Sequence, residues 1–328
     1  TQVGSSAASD VYKRQADDTK VRRMIKSLEE RVALQRDLDV IYKWAEESRM
    51  RFNDNKFEQM SHGETRGLVP EAYLTPGGSE IEVGETVKDL GVIASGDLMF
   101  REHIDKVVTS AKIKTGILMR TFSTRQENAM RIMFNTYIRS KLDYCSTIWS
   151  PSGQAEINQL ERIQKHFTSK IEGMESLNYH ERLNKMKLYS LERRRERFMI
   201  INAWRQIEGH TENILGLETK TDRNGRRILP SKLLTKANAS RIKMRHKTLI
   251  RNSFVVKTGR LFNAVHKDIR DIKGVSLRTF KDKLDAWLSR VPDTPKIDGY
   301  GAMVAADTNS IIDQANYVSS ISLYDRAG

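Results

Sequence analysis

Cysteine is almost missing from this 328-residue chain: Cys145 stands alone. That excludes a disulfide framework and any zinc site built on several thiolates, and it fits a reducing compartment. No stretch of about 18 uncharged apolar residues occurs, so no membrane span is expected. The opening residues lack the apolar centre of a secretory signal. With only 6 prolines and 19 glycines, collagen-like and low-complexity architectures are excluded too. The 7 histidines show neither an HExxH motif nor a paired i, i+4 metal spacing, and each reads as a surface or packing residue. Gly77-Gly78 is followed by neither Lys-Ser nor Lys-Thr, so it is no phosphate loop.

What is plentiful is positive charge. The net charge is +14 and the isoelectric point about 9.7. Residues 1–110 carry 16 basic and 20 acidic side chains, residues 111–210 carry 18 and 10, and residues 220–290 carry 20 and 5. A 70-residue block so one-sided repels itself unless a polyanion lies against it, and phosphate backbones favour such a block through counterion release. A solvated basic surface is the plainer alternative. A membrane surface fits less well, because no strongly apolar helical face accompanies the block.

Apolar periodicity points to a mainly α chain of about two domains. Residues 19–50 read as a helix, with Asp17, Asp18 and Thr19 as N-cap chemistry. Residues 61–79 read as loop and turn, and short strand-like pieces surround Ile81–Val83 and Leu90–Ile93. Helical patterns then cover 101–121, 126–143, 154–172, 178–187, 190–208 and 276–290. Residues 1–15 look like a translated library adaptor and are set apart from the fold. Residues 291–328 read as a disordered tail.

The residues with most chemical potential are Asp17 and Asp18. Two adjacent carboxylates repel unless a cation neutralises them, and Mg²⁺ takes one or two carboxylates together with substrate phosphates. The other reading is that helix N-cap. A second cluster, Arg193, Arg194, Arg195 and Arg197, lies on a helix whose opposite face holds Phe198, Ile201 and Trp204. With Arg226, Arg227, Arg241, Lys243, Arg245, Lys247 and Arg251 it forms a candidate set of backbone phosphate contacts; a solvated face is the alternative. Phe254, Phe262, Trp287 and Tyr144 interleave with these and read as core.

Ala16-Asp17-Asp18-Thr19-Lys20 resembles the aspartate box of reverse transcriptases from non-LTR retrotransposons, jockey-like ones in particular. The resemblance continues in order through Asp37-Leu38, Trp44, Phe52-Asn53 and Lys56, then Lys88-Asp89-Leu90-Gly91-Val92. It goes on through Leu142-Asp143-Tyr144-Cys145 with Ile148-Trp149-Ser150-Pro151, then Leu191-Glu192-Arg193-Arg194-Arg195, and closes on Phe280-Lys281 and Leu284-Asp285. It spans about 16–290. Gln15 stands where the family has an aromatic residue.

The resemblance implies a fold and a function. Residues 16–97 would be the C-terminal part of an α+β palm with short antiparallel strands. Residues 98–215 would be a helical thumb, and 216–290 a basic helical C-terminal region. The activity would be RNA-directed DNA polymerisation on an RNA template and a DNA primer or target, with dNTP substrates, and nuclear if target-primed. Asp17 and Asp18 would be catalytic metal ligands for Mg²⁺, Lys56 would lie near the triphosphate, and Leu90-Gly91 would be a primer-grip turn. Two-ion phosphoryl transfer needs carboxylates on more than one strand, and Asp17 and Asp18 supply one side. The chain by itself is therefore expected to be inactive. The alternative is a non-catalytic RNA- or DNA-binding module from a degenerate element.

Overall fold

The computed structural model describes residues 13–15, 18–62, 72–230, 250–297 and 306–324. It is mainly helical, with three two-stranded antiparallel sheets among the described residues. The chain divides into two compact units, Thr1–Met99 and Phe100–Gly328.

The first unit starts with β1 (Lys13–Gln15) and β2 (Asp18–Lys20), paired so that Gln15 faces Asp18. Residues 13–15, the end of the stretch set apart as adaptor-like, pair with β2 in the structure. The first helix, α1 (Leu28–Glu47), starts some nine residues later than the periodicity suggested. Its cap is Ser27, whose hydroxyl accepts from Glu30 N at 3.4 Å, and not Asp17, Asp18 or Thr19. Electrostatics explains the choice. Lys20, Arg22, Arg23 and Lys26 would oppose the positive end of a helix begun at residue 19, whereas Glu29 and Glu30 in the observed first turn complement it. Tyr42 packs edge to face on Phe52 and Phe57, which are tilted against each other, with all centroids 5.6–5.9 Å apart. The strands β3 (Thr86–Asp89) and β4 (Val92–Ser95) follow. Ile81–Val83, read as a strand piece, forms only an isolated bridge from Val83 to Gln59.

In the second unit α2 (Arg101–Thr121) packs on α6 (Gln154–Thr168). Between them α3 (Glu127–Met133) runs through a π-helical turn, Phe134–Arg139, into α4 (Ser140–Asp143), followed by the short α5 (Ser146–Trp149). Next comes α7 (Tyr179–Met186), started by a capping box in which Asn178 and Glu181 exchange bonds of 3.0 and 2.7 Å. The central α8 (Leu191–Ile207) packs against α5, α6 and α9 (Phe254–Ala264). A hairpin of β5 (Lys220–Thr221) and β6 (Arg227–Ile228), then α10 (Lys267–Arg270), α11 (Leu277–Leu288) and α12 (Ile311–Tyr324), complete the unit.

One core joins segments that the sequence reading kept apart. Met199, Ile200 and Trp204 meet Leu217, Leu229, Leu261, Phe262, Phe280, Leu284, Leu288 and Ile311. The Trp204 and Phe280 rings stack with centroids 4.2 Å apart and 5° between planes. The expected disordered tail therefore holds an ordered helix. Glu196 of α8 accepts from Ser310 Oγ at 2.8 Å and from Ile311 N at 2.6 Å, at the start of α12. Asn309 donates to Ser190 and Asp293 at 3.1 and 2.9 Å. A polar, small-residue composition concealed a segment whose order comes from buried long-range polar contacts.

Candidate functional site

Within the first unit, Asp18 opens β2; its side chain, like the whole of Asp17, lies outside the described residues. Lys20, two residues on, is ion-paired with Asp89 at the end of β3. Asp89 immediately precedes Leu90-Gly91, so this pair draws the strand that starts at Asp18 to the β3–β4 turn. Both ends are exposed, so the pair itself adds little stability; its significance is positional. In that turn Leu90 and Gly91 both have positive φ, 45° and 86°, and Asp89 faces Val92 across it. Such a two-residue turn follows the right-handed twist of its strands. Glycine takes the second position without strain; leucine in the first does not.

Lys56 ends a single 3₁₀ turn, Asp54–Lys56, and its side chain is exposed. The turn is fixed by Asp54, which accepts from Thr75 Oγ1 and Gly77 N at 3.1 Å each. Among the described residues no group of three or more His, Cys, Asp or Glu side chains converges to hold a metal ion. The side chains of Asp17 and Asp18, which the resemblance would make Mg²⁺ ligands, lie outside those residues.

The arginine cluster of α8, expected to contact backbone phosphates with a solvated face as the alternative, is buried or half-buried. Arg193 is fully buried, and its guanidinium donates to the carbonyls of Val291, at 3.1 Å, and Pro292. Arg195 is buried too, with Glu161, Glu192 and Glu196 acting on it electrostatically, and burial lowers its pKa. Arg194 Nε reaches both Asp143 oxygens, at 3.0 and 2.8 Å, and its guanidinium lies 4.8 Å from the Phe198 ring centre. Arg197 grips Asp285 through two bonds of 2.5 and 2.6 Å. A central helix packed on several sides cannot leave its charges to solvent, so Arg193, Arg194 and Arg197 are turned to internal acceptors, whereas Arg195 Nε and Nη2 are buried with no hydrogen-bond partner among the described residues. The partners Asp143, Glu161 and Asp285 lie far away in sequence, which hid them.

Arg227 is likewise engaged, with Glu208 at 2.6 Å and Thr219 at 3.1 Å. Arg226 and Arg251 are exposed. Arg241, Lys243, Arg245 and Lys247 lie outside the described residues. Of the four interleaved aromatics, Phe262 is buried, Phe254 and Trp287 pack against the core, and Tyr144 is exposed. The Leu142–Pro151 signature gains a structural account here. Leu142 and Trp149 are buried, Cys145 takes the left-handed conformation, and the Trp149 indole donates to the Tyr144 carbonyl at 2.8 Å.

Sequence reasoning missed a buried polar network. Glu161 is fully buried on α6 and accepts from Tyr179 OH at 2.5 Å and Leu191 N at 2.9 Å. Burial pushes its pKa up to about 7, against those bonds and against Arg195. Burial, and then Glu196, push Glu192 up to about 8. Lys257 of α9 faces the same carboxylates and is lowered by burial. The one local signal was the like-charged i, i+4 pair Glu192 and Glu196.

Comparison with known proteins adds little. No family model matches the chain, and no solved structure does. The chain is similar to an uncharacterized protein of Caenorhabditis elegans, at 24% identity over 119 residues, 35% of this chain and 60% of that protein. The chain thus spans less than two thirds of that relative's length.

Proposed function

We propose that this chain is the end of the palm, the thumb and the basic C-terminal region of a non-LTR retrotransposon reverse transcriptase, and that it holds an RNA template paired with a DNA primer. The observation that carries the reading is the Lys20–Asp89 pair, which links the strand opening at Asp18 to the Leu90-Gly91 turn. These are the two motifs whose approach the resemblance requires of a palm. The charge of the second unit supports it: residues 100–328 hold 42 basic and 24 acidic side chains, and pairing inside the core leaves that excess unchanged. Catalysis would draw on Asp17, Asp18 and Mg²⁺, with Lys56 toward the dNTP. Two-ion transfer needs carboxylates on more than one strand and Asp17 and Asp18 supply one side, so template–primer binding is the activity assigned to this chain by itself.

The test is fluorescence anisotropy on an RNA–DNA hybrid, run beside primer extension with dNTPs and Mg²⁺. The expected result is binding without extension. Extension abolished by Asp17→Asn would show a complete catalytic centre and overturn the binding-only assignment. Failure to bind the hybrid would overturn the reading altogether. A non-catalytic RNA/DNA-binding module is the second reading. Extension by this chain joined to further palm sequence of the same element would exclude it.

A further inference from the structure

We propose that the second unit carries a binding site for a phosphate-class oxyanion in the cavity between the π-helical turn, the end of α7 and the outer face of α8. The cavity has a volume of about 200 Å³ and is lined by Arg139, Lys187, Tyr189, Arg194, Arg197 and Asp285, among others. That is room for a tetrahedral anion and a few waters, at roughly 30 Å³ per water.

Charge carries the assignment. Four cationic side chains line the space, and two carboxylates answer them: Asp285, taken by Arg197 through both oxygens, and Asp143, taken by Arg194 Nε. Arg139 reaches Asp143 only at 3.7 Å. The terminal nitrogens of Arg139 and Arg194 meet no acceptor among the described residues, and neither does the Lys187 ammonium. Two positive charges are left over in a partly enclosed space, which is the complement of a dianion. The neighbouring Arg193 deepens the excess, since its bonds go to neutral carbonyls.

The backbone is arranged to make this juxtaposition. Arg139 ends the π turn Phe134–Arg139, and a π turn rotates every later residue relative to an α-helical continuation. Such turns occur frequently at functional sites. Lys187 sits at the left-handed C-cap of α7, φ 52°. Arg194 is held against Phe198 and Arg197 by its Asp285 fork, so both guanidiniums are fixed before any ligand arrives. Burial and then the neighbouring Arg194 lower the Arg139 pKa, outweighing Asp143, as expected of two cations waiting for a shared anion.

This site does not depend on the polymerase reading. The shared chemistry is a phosphate oxyanion, supplied by a polynucleotide backbone or by a small phosphorylated molecule. The test uses the full chain and inorganic phosphate, read as a thermal shift against chloride at equal ionic strength. Wild type should be stabilised by phosphate and by sulfate. Arg139→Gln and Lys187→Gln, which leave both Asp-bound arginines in place, should each weaken apparent affinity roughly tenfold. Lys187 is exposed, so its variant decides the matter even if Arg139→Gln fails to fold. Competition then separates the sources: phosphate displacing an RNA–DNA hybrid points to a backbone phosphate, and no competition points to a small ligand. Absence of a phosphate-specific shift, or an equal shift in wild type and Lys187→Gln, would overturn the site. Salt-sensitive hybrid binding that survives such a result would leave the nucleic-acid reading standing.

Discussion

At the residue scale, burial decides what each charged or aromatic side chain does. Glu192 illustrates it. Its carboxyl is pushed up to about 8 by burial and by Glu196, against an ordinary 4.5. A folded-state pKa above the unfolded one contributes stability that is complete below 4.5 and is lost as pH rises through 8. Glu192→Gln should therefore match wild type in stability at pH 4. It should become the more stable protein, by on the order of 1–3 kcal/mol, at pH 9; urea titrations across that range check it. Trp204, fully buried and stacked on Phe280, gives the opposite case. Trp204→Ala should cost about 3–5 kcal/mol, measured as loss of the second unit's thermal transition. The sequence marked Trp204 correctly as the apolar side of its helix. It could not show that Arg193 and Arg195 on the same helix are also inside, because the acceptors of Arg193, Val291 and Pro292, lie 98 and 99 residues away, and Glu161, the carboxylate acting most strongly on Arg195, lies on another helix.

At the element scale, local rules account for most helix boundaries. Periodicity located α2 and α8 within a residue, and the Asn178/Glu181 box and the Ser190 cap explain where α7 and α8 begin. Several elements escaped or were misplaced, α9 among them, since no helical pattern was assigned to Phe254–Ala264. The start of α1 was misplaced because an Asp-Asp-Thr run resembles a cap, while Ser27 with Glu30 is the pair that forms one. Helix α12 was missed because its order rests on Glu196, a residue more than a hundred positions away. Glu196→Ala should free the first turn of α12, with amide exchange over 311–315 faster by roughly tenfold or more, while α2 stays protected. In the β3–β4 turn the strain falls on Leu90. Leu90→Asn should slow exchange in β3 and β4 through about 0.5–1 kcal/mol of relief, and Gly91→Ala should accelerate it through about 1–2 kcal/mol of added strain. If Leu90→Asn also weakens hybrid binding, the strained leucine serves contact rather than folding.

At the scale of the whole molecule, charge is divided sharply. The first unit has 14 basic and 18 acidic side chains and the second 42 and 24. That asymmetry was legible from the sequence. Its local meaning was not, because Arg193, Arg194 and Arg197, conspicuous in the sequence, bond to acceptors inside the fold. No helix among the described residues is long and apolar enough to cross a membrane. On the charge, we propose a polyanion as the partner. Hybrid affinity measured by anisotropy from low to high salt tests this most directly. The logarithm of affinity should fall linearly with the logarithm of salt concentration, by about 0.9 at most for each phosphate neutralised and by several units in all. Affinity indifferent to salt, or no binding even at the lowest salt, would contradict the account.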